Sequence, residues 1–138
     1  MPSFKVFDIA GSGLSAQSVR LNTVASNLAN AESVSGSPDT VYKARHPVFE
    51  AVRAALSQPQ DGNAAVRVRG IVESQTAPTA RYEPGNPLAN EEGYVYAPNV
   101  NVVEEMVDMI SASRAYQNNV EVMNTSKELM LATLRLGQ

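Results

Sequence analysis

Apolar residues recur every seven positions in the first segment of the chain, at Phe7, Leu14, Leu21 and Leu28. A second series lies three positions after each of these and consists of Ala10, Gln17, Val24 and Ala31. Only Gln17 is polar, so the two series form the seam of a helix that pairs with another helix. The pattern predicts a first helix over residues 4–32, with Ser3 as its N-cap.

The last segment has a similar series of ten positions at steps of three and four, of which Ser113 and Lys127 are polar. The other eight are apolar, namely Val102, Met106, Met109, Tyr116, Val120, Met123, Met130 and Leu134. A second apolar set lies mostly outside this stripe, at Val103, Val107, Ile110, Val122, Leu129 and Leu136. Asn99 or Asn101 can cap the start of such a helix, and Gly137 suits its end. The pattern predicts a helix over residues 100–138 that is apolar on several sides and therefore needs several neighbours.

The middle of the chain, residues 33–99, is rich in turns and predicts a loop and a small β element. Residues 42–49 are expected to be extended, and residues 50–57 to form a short helix. Residues 66–69 alternate like a half-exposed strand, with which residues 80–83 could pair as a hairpin; residues 94–96 give a last strand. The fold class is therefore mainly α with a small β element (α+β): two long terminal helices pair as a coiled-coil-like core, with the β insertion between them.

The terminal helices carry more apolar surface than this short chain covers easily, and burial of each large side chain contributes about 1.5–3 kcal/mol. We therefore predict packing between subunits; the alternative is a monomeric helical hairpin with some apolar residues exposed. The predicted subunit-packing residues are Phe7, Leu14, Leu21, Val24, Leu28, Val102, Met106, Met109, Ile110, Tyr116, Val120, Met123, Met130 and Leu134.

Polar and small residues inside the first helix add a second expectation. Asn22, Asn27 and Asn30 are either solvated or hydrogen-bonded to adjacent helices, because Asn is otherwise unfavourable in a helix interior. Gly11 and Gly13 mark either a kink or a close approach by a neighbouring helix.

Composition narrows the possible chemistry. The 138 residues include one His and no Cys, and the absence of Cys excludes disulfides and thiolate metal sites. The net charge is −3, so the chain has no overall positive charge to attract nucleic acid. His46 lies in a predicted loop beside Lys43 and Arg45 and is expected to be solvated, while capping and solvation account for Glu104 and Glu105. We expect no enzyme activity, no cofactor, no metal and no small-molecule substrate. No secretory h-region or membrane-spanning stretch is evident.

Three sets of motifs resemble a known family. Residues 7–14 with 22–31 resemble the N-terminal signature of bacterial flagellar rod and hook proteins, and residues 98–106, 111–117 and 134–138 resemble the C-terminal signature. Residues 82–88 and 92–95 are similar to those of a proximal-rod subunit. The resemblance implies a structural subunit of the basal-body proximal rod, which stacks helically into a hollow shaft that crosses the periplasm and transmits motor torque for motility.

The same resemblance implies the partners and the location. The partners would be copies of this chain, other proximal- and distal-rod proteins, the adaptor between rod and membrane ring, the ring itself and the flagellar type III export apparatus. The chain would be made in the cytoplasm and exported without a cleaved signal peptide. Two other hypotheses stay open at this point: a helical-hairpin adaptor that binds one partner without polymerising, and a hydrolase that uses His46.

Overall fold

Two long helices form the two ends of the chain, and four short strands lie between them in the sequence. The computed structural model describes residues 2–53 and 64–137, with side chains described from residue 5 onward. The elements in chain order are α1 (Pro2–Ala29), β1 (Arg45–Val52), β2 (Ala65–Glu73), β3 (Thr79–Tyr82), β4 (Tyr94–Ala97) and α2 (Val102–Leu136). This architecture confirms the predicted fold class, a pair of terminal helices with a small antiparallel β element between them.

The ends of the two helices follow local rules. α1 begins at Pro2, which suits a first helical position because its ring presets the backbone and it lacks the N–H. Ser3 therefore lies inside the helix, and its prediction as N-cap was wrong. α2 is capped by Asn101, whose Oδ1 accepts from the backbone N–H of Val103 and Glu104 at 3.2 and 3.4 Å.

The first sheet is an antiparallel pair of β1 and β2, in which Arg45 lies opposite Glu73 and Val52 opposite Ala65. Residues 50–52 belong to β1, so the short helix predicted from residue 50 was wrong for them; its later residues, 54–57, lie outside the described part. The ladder to β2 and an ion pair between Glu50 and Arg67 hold this segment extended. Helical spacing over so few residues cannot outweigh such pairing.

The second sheet pairs β3 with β4, with Tyr82 opposite Tyr94. The prediction that residues 80–83 pair with 66–69 was therefore wrong. The two tyrosine rings meet edge to face with centroids 5.2 Å apart. The turn between the strands includes Gly93 at a φ of 83°, a backbone conformation that favours glycine.

A small core joins this second sheet to the loop that follows α1. The backbone of Ser35 exchanges hydrogen bonds with Tyr96, of 3.0 and 2.7 Å. Val95 is fully buried, and Val41 and Ala44 are nearly so. Asn99 closes the base of this core, because its Oδ1 accepts from Ala44 N–H at 2.7 Å and its Nδ2 donates to the carbonyl of Thr76 at 2.7 Å.

α1 is the element on which α2 and the first sheet pack. It contacts α2 along much of its length and also contacts β1 and β2. The hydroxyl of Ser12 accepts from the backbone N–H of Val66 at 3.1 Å, so the outer edge of β2 is attached to α1. Among the described residues, neither helix has a run that is long and apolar enough to cross a membrane.

Candidate subunit interface

The two terminal helices pair antiparallel in a defined register. Three contacts set it: Asn27 with Glu105, Arg20 with Asp108, and Gly13 with Asn119. Residues near the end of α1 therefore lie beside the start of α2. The ion pair between the Arg20 guanidinium and Asp108 Oδ1 is 2.8 Å long and half-buried, so solvent screens it less than a free surface pair.

Asn27 is the polar centre of this pairing and is fully buried. Its Nδ2 donates to Glu105 Oε1 at 2.9 Å and to the carbonyl of Arg45 at 2.8 Å. Its Oδ1 accepts from the Tyr42 hydroxyl at 2.9 Å and from the N–H of Arg45 at 3.0 Å. All donor and acceptor positions of this amide are thus satisfied, and one side chain joins α1, α2 and the start of β1.

The other two asparagines predicted to bond between helices have different surroundings. Asn30 donates to the carbonyl of Ser26 at 2.9 Å, within the last turn of its own helix. Asn22 is exposed and lies beside Val19, Thr23 and Ile71 at the rim of a shallow cavity.

Glu105 is the residue that the sequence interpretation placed wrongly. Its side chain is 4% exposed, whereas capping and solvation had been expected to explain it; its neighbour Glu104 is exposed. Burial of a carboxylate is costly unless it is hydrogen-bonded, and Asn27 supplies the bond to Oε1. The other oxygen, Oε2, is buried without a hydrogen-bond partner among the described residues. In the sequence, a glutamate near the start of a helix does not indicate whether its side chain is buried.

The glycines of α1 differ in what they face. A Cβ on Gly13 would lie 2.8 Å from Nδ2 of Asn119, so α2 approaches α1 closely there. Asn119 is held in place by a 3.0 Å bond from its Nδ2 to the carbonyl of Ala115. A Cβ on Gly11 would meet nothing within 4 Å among the described residues. Close helix approach thus explains the glycine at position 13 within one chain.

The predicted packing residues of α1 lie on two sides of the helix. Val24 is buried. Phe7, Leu14, Leu21 and Leu28 are half-buried along one flank, beside the surface that meets α2. Ser12 contacts β2. Because successive residues of a helix are rotated by about 100°, Ser12 lies roughly on the flank of α1 opposite to these four side chains.

The predicted packing residues of α2 are exposed to a larger extent. Met109, Met123 and Met130 are half-buried; the others are exposed, namely Val102, Met106, Ile110, Tyr116, Val120 and Leu134. Within α2 only Glu105 and Ala112 are buried. A single neighbouring helix therefore covers one narrow side of α2.

Helix geometry brings two of these series together on one side of the helix pair. Met109, Tyr116, Met123 and Met130 repeat every seven residues on α2, as Phe7, Leu14, Leu21 and Leu28 do on α1. In the antiparallel register both series flank the helix contact on the same side, away from the β1–β2 sheet. We call this surface of eight residues the open face; seven of them are half-buried at the edge of the helix contact, and Tyr116 is exposed.

The surface area of the whole chain is also large for its mass. It exposes 9660 Å², whereas a compact monomer of 14.8 kDa exposes about 7,000 Å². The excess is greater than the roughly 800 Å² that a subunit buries in one standard interface. The arrangement is suited to association through the sides of its terminal helices.

Candidate chemistry is sparse on this scaffold. His46 lies in β1 and is exposed, rather than in a loop. Within residues 2–53 and 64–137 no cluster of three or more His, Cys, Asp or Glu is arranged to hold a metal ion. A polar depression beside the Asn27 centre is lined by the loop that follows α1, including Tyr42 and Lys43, and by Arg45 of β1 and Glu73 of β2.

Comparisons with known proteins point in one direction. The family described as "Flagella basal body rod protein" matches residues 7–36, and that described as "Flagellar basal body rod FlgEFG protein C-terminal" matches residues 91–136. The chain is 55% identical over 138 residues to the flagellar basal-body rod protein FlgC of Salmonella typhimurium, covering 100% of both chains. It is 52% identical over 138 residues to that of Yersinia enterocolitica, again covering 100% of both. To that of Aquifex aeolicus it is 45% identical over 133 residues, covering 96% of each chain.

Proposed function

The chain belongs to the FlgC-type flagellar basal-body rod proteins, and we propose that it is a structural subunit of the proximal rod that polymerises through its terminal helices. In this role the helices build a hollow shaft that carries motor torque for motility. The observation that carries the proposal is the open face together with the exposed outer side of α2. Large apolar side chains line both: those of the open face are half-buried or exposed at the edge of the helix contact, those of the outer side are exposed, and no strand contacts α2 among the described residues.

The mechanical demand on such a shaft favours this kind of surface. Torque must cross many small contacts without slip, and interdigitated apolar side chains form dense interfaces of low compressibility. Each subunit must also keep its own helices in register while loaded. The Asn27 centre and the Arg20–Asp108 pair supply that register, since they link α1 to α2 at the end where the β element joins.

The partners follow from the role. We propose contacts with copies of this chain, with other proximal- and distal-rod proteins and with the adaptor and ring at the membrane. Delivery through the flagellar type III export apparatus without a cleaved signal completes the proposal, and places the working subunit in the rod across the periplasm. These partners are supported by family membership and by the large apolar surface available for several simultaneous contacts.

Complementation tests the proposal. The chain is produced in a Salmonella typhimurium strain that lacks its own FlgC, and swimming and purified basal bodies are examined. We expect restored swimming and the chain recovered in the rod fraction. Recovery of the chain only in a one-to-one soluble complex, with no rod, would instead support the non-polymerising adaptor.

A further inference from the structure

Four large apolar side chains at the start of α2 point directly away from α1. Val103, Met106, Val107 and Ile110 are 71, 54, 60 and 55% exposed. Glu105 and Ala112, which are buried, lie about half a turn around the helix from them. We call these four residues the outer patch. It is distinct from the open face, which lies along the flank of the helix pair.

A cation borders the outer patch on its C-terminal side. Arg114 lies one turn beyond Ile110 on the same side of α2, and the two residues line a shallow groove of about 400 Å³ together with Val107. Arg114 is exposed and forms no ion pair within the described residues. A surface that would dock here should therefore offer a flat apolar or small-residue face with an acid at one end.

The side of α1 that faces away from α2 has this character. Residues at steps of three and four form this side of the helix, namely Asp8, Gly11, Ser15, Ser18, Asn22 and Ala25. All are exposed except Gly11, which is half-exposed and has open space where a Cβ would lie. Asp8 stands at one end and, like Arg114, forms no ion pair within the described residues.

We propose that the outer patch of one copy docks on this side of α1 in a second copy, with Arg114 opposite Asp8. The inference rests on the proposed polymerisation and assigns the two surfaces that meet. Since α1 and α2 are antiparallel within one chain, two adjacent copies in the same orientation place α2 of one copy antiparallel to α1 of the other. Ile110 then lies over Gly11, Val107 over Ser15 and Val103 over Ser18, because both series advance by three and four residues per turn.

Two properties of the surfaces support a second copy as the occupant. The charges at the matching ends are opposite, which sets the register. The excess exposed area of the chain, about 2,700 Å² over a compact monomer, is enough for more than one such contact. Because the two surfaces differ, the contact is heterologous and repeats from copy to copy, as a helical polymer requires.

Disulfide trapping tests the contact, since the chain contains no cysteine. One chain carries Ser15→Cys and another carries Val107→Cys; both are produced together in the Salmonella typhimurium strain without FlgC. Basal bodies from swimming cells are oxidised, and the linked peptides are identified by mass spectrometry. A matched control replaces the second chain by one with Thr133→Cys, an exposed position away from the outer patch.

The proposal predicts that the peptide linked between positions 15 and 107 is at least ten times as abundant as the peptides linked 15–15, 107–107 or 15–133. Added Arg114→Glu should reduce the mixed peptide several-fold, and Asp8→Lys together with Arg114→Glu should restore it. Swimming cells that yield no mixed peptide, or mainly 107–107 links, would overturn the contact while the proposed function stands. Failure of the unaltered chain to enter basal bodies would overturn the proposed function, and with it this contact.

Discussion

The amide of Asn27 donates a 2.9 Å hydrogen bond to the carboxylate of Glu105, across 78 positions of sequence. Both side chains are buried, and the same amide also binds Tyr42 and the backbone of Arg45. One residue therefore joins α1, α2 and the first sheet. Such a centre is costly if incomplete, because every partner then keeps an unsatisfied polar group in the interior.

Replacement of this amide should destabilise the isolated chain. We expect Asn27→Ala to lower the free energy of unfolding by about 3 kcal/mol, since it leaves Glu105 without its donor and several neighbours unpaired. Urea denaturation followed by circular dichroism measures this. The control is Asn22→Ala, an exposed asparagine of the same helix, for which a change within about 0.5 kcal/mol is expected. Equal effects of the two variants would show that the buried network adds nothing to stability.

The two adjacent glutamates at the start of α2 should respond differently. Glu105→Ala removes an acceptor of Asn27 and should cost about 2 kcal/mol, as for a buried donor left unsatisfied. Glu104→Ala removes only an exposed charge near the helix N-terminus, with an expected loss of about 0.5 kcal/mol. The same denaturation experiment compares them. A larger loss for Glu104→Ala would contradict the assigned burial of Glu105.

The two glycines of α1 offer another matched pair. Gly11→Ala should raise the free energy of unfolding of the isolated chain by about 1 kcal/mol, through better helix propensity and no clash. Gly13→Ala should gain less or lose stability, because the new Cβ would lie 2.8 Å from the side chain of Asn119. Removal of that side chain, in Gly13→Ala combined with Asn119→Ala, should recover the gain. An equal gain from both single variants would argue against close packing at Gly13.

A variant of the open face should separate folding from assembly. Tyr116 is 38% exposed there, and aromatic side chains often dominate the binding energy of an interface. We expect Tyr116→Ala to abolish swimming while the purified chain keeps the circular dichroism spectrum of the unaltered protein. Gln117→Ala, at the next position of α2 and also exposed, should swim normally. Full motility with Tyr116→Ala would count against the open face as an interface.

The helices were predicted well from the sequence, because the features that specify a helix lie within the helix itself or next to its ends. Periodic apolar positions and the Asn101 cap require only nearby residues, so α2 begins within about two residues of the expected start. The strands at residues 66–69, 80–83 and 94–96 were also placed to within about one residue or as parts of longer strands, but their pairing was predicted wrongly. Short runs such as residues 66–69 and 80–83 pair equally plausibly with several partners, and the choice is made by tertiary contacts such as that between Ser12 and Val66.

The polar centre shows where sequence reasoning ends. Asn27 stood out as an unusual residue for a helix interior, which is why a bond to another helix was one of its two interpretations. Its partner did not stand out. Glu105 resembles any carboxylate in a first helical turn, and its burial depends on the register of two helices separated by most of the chain. Arg20 and Asp108 were missed for the same reason, since nothing local indicates that they meet.

The central claim is that assembly covers the apolar sides of the terminal helices. A cryo-electron microscopy map of the basal body with this subunit traced measures it directly, through the exposed areas of Met106, Ile110 and Tyr116 in the rod. We predict that these side chains, exposed in the single chain, are buried against neighbouring subunits. A map in which they face water, with rod contacts made only by the β element, would contradict the account.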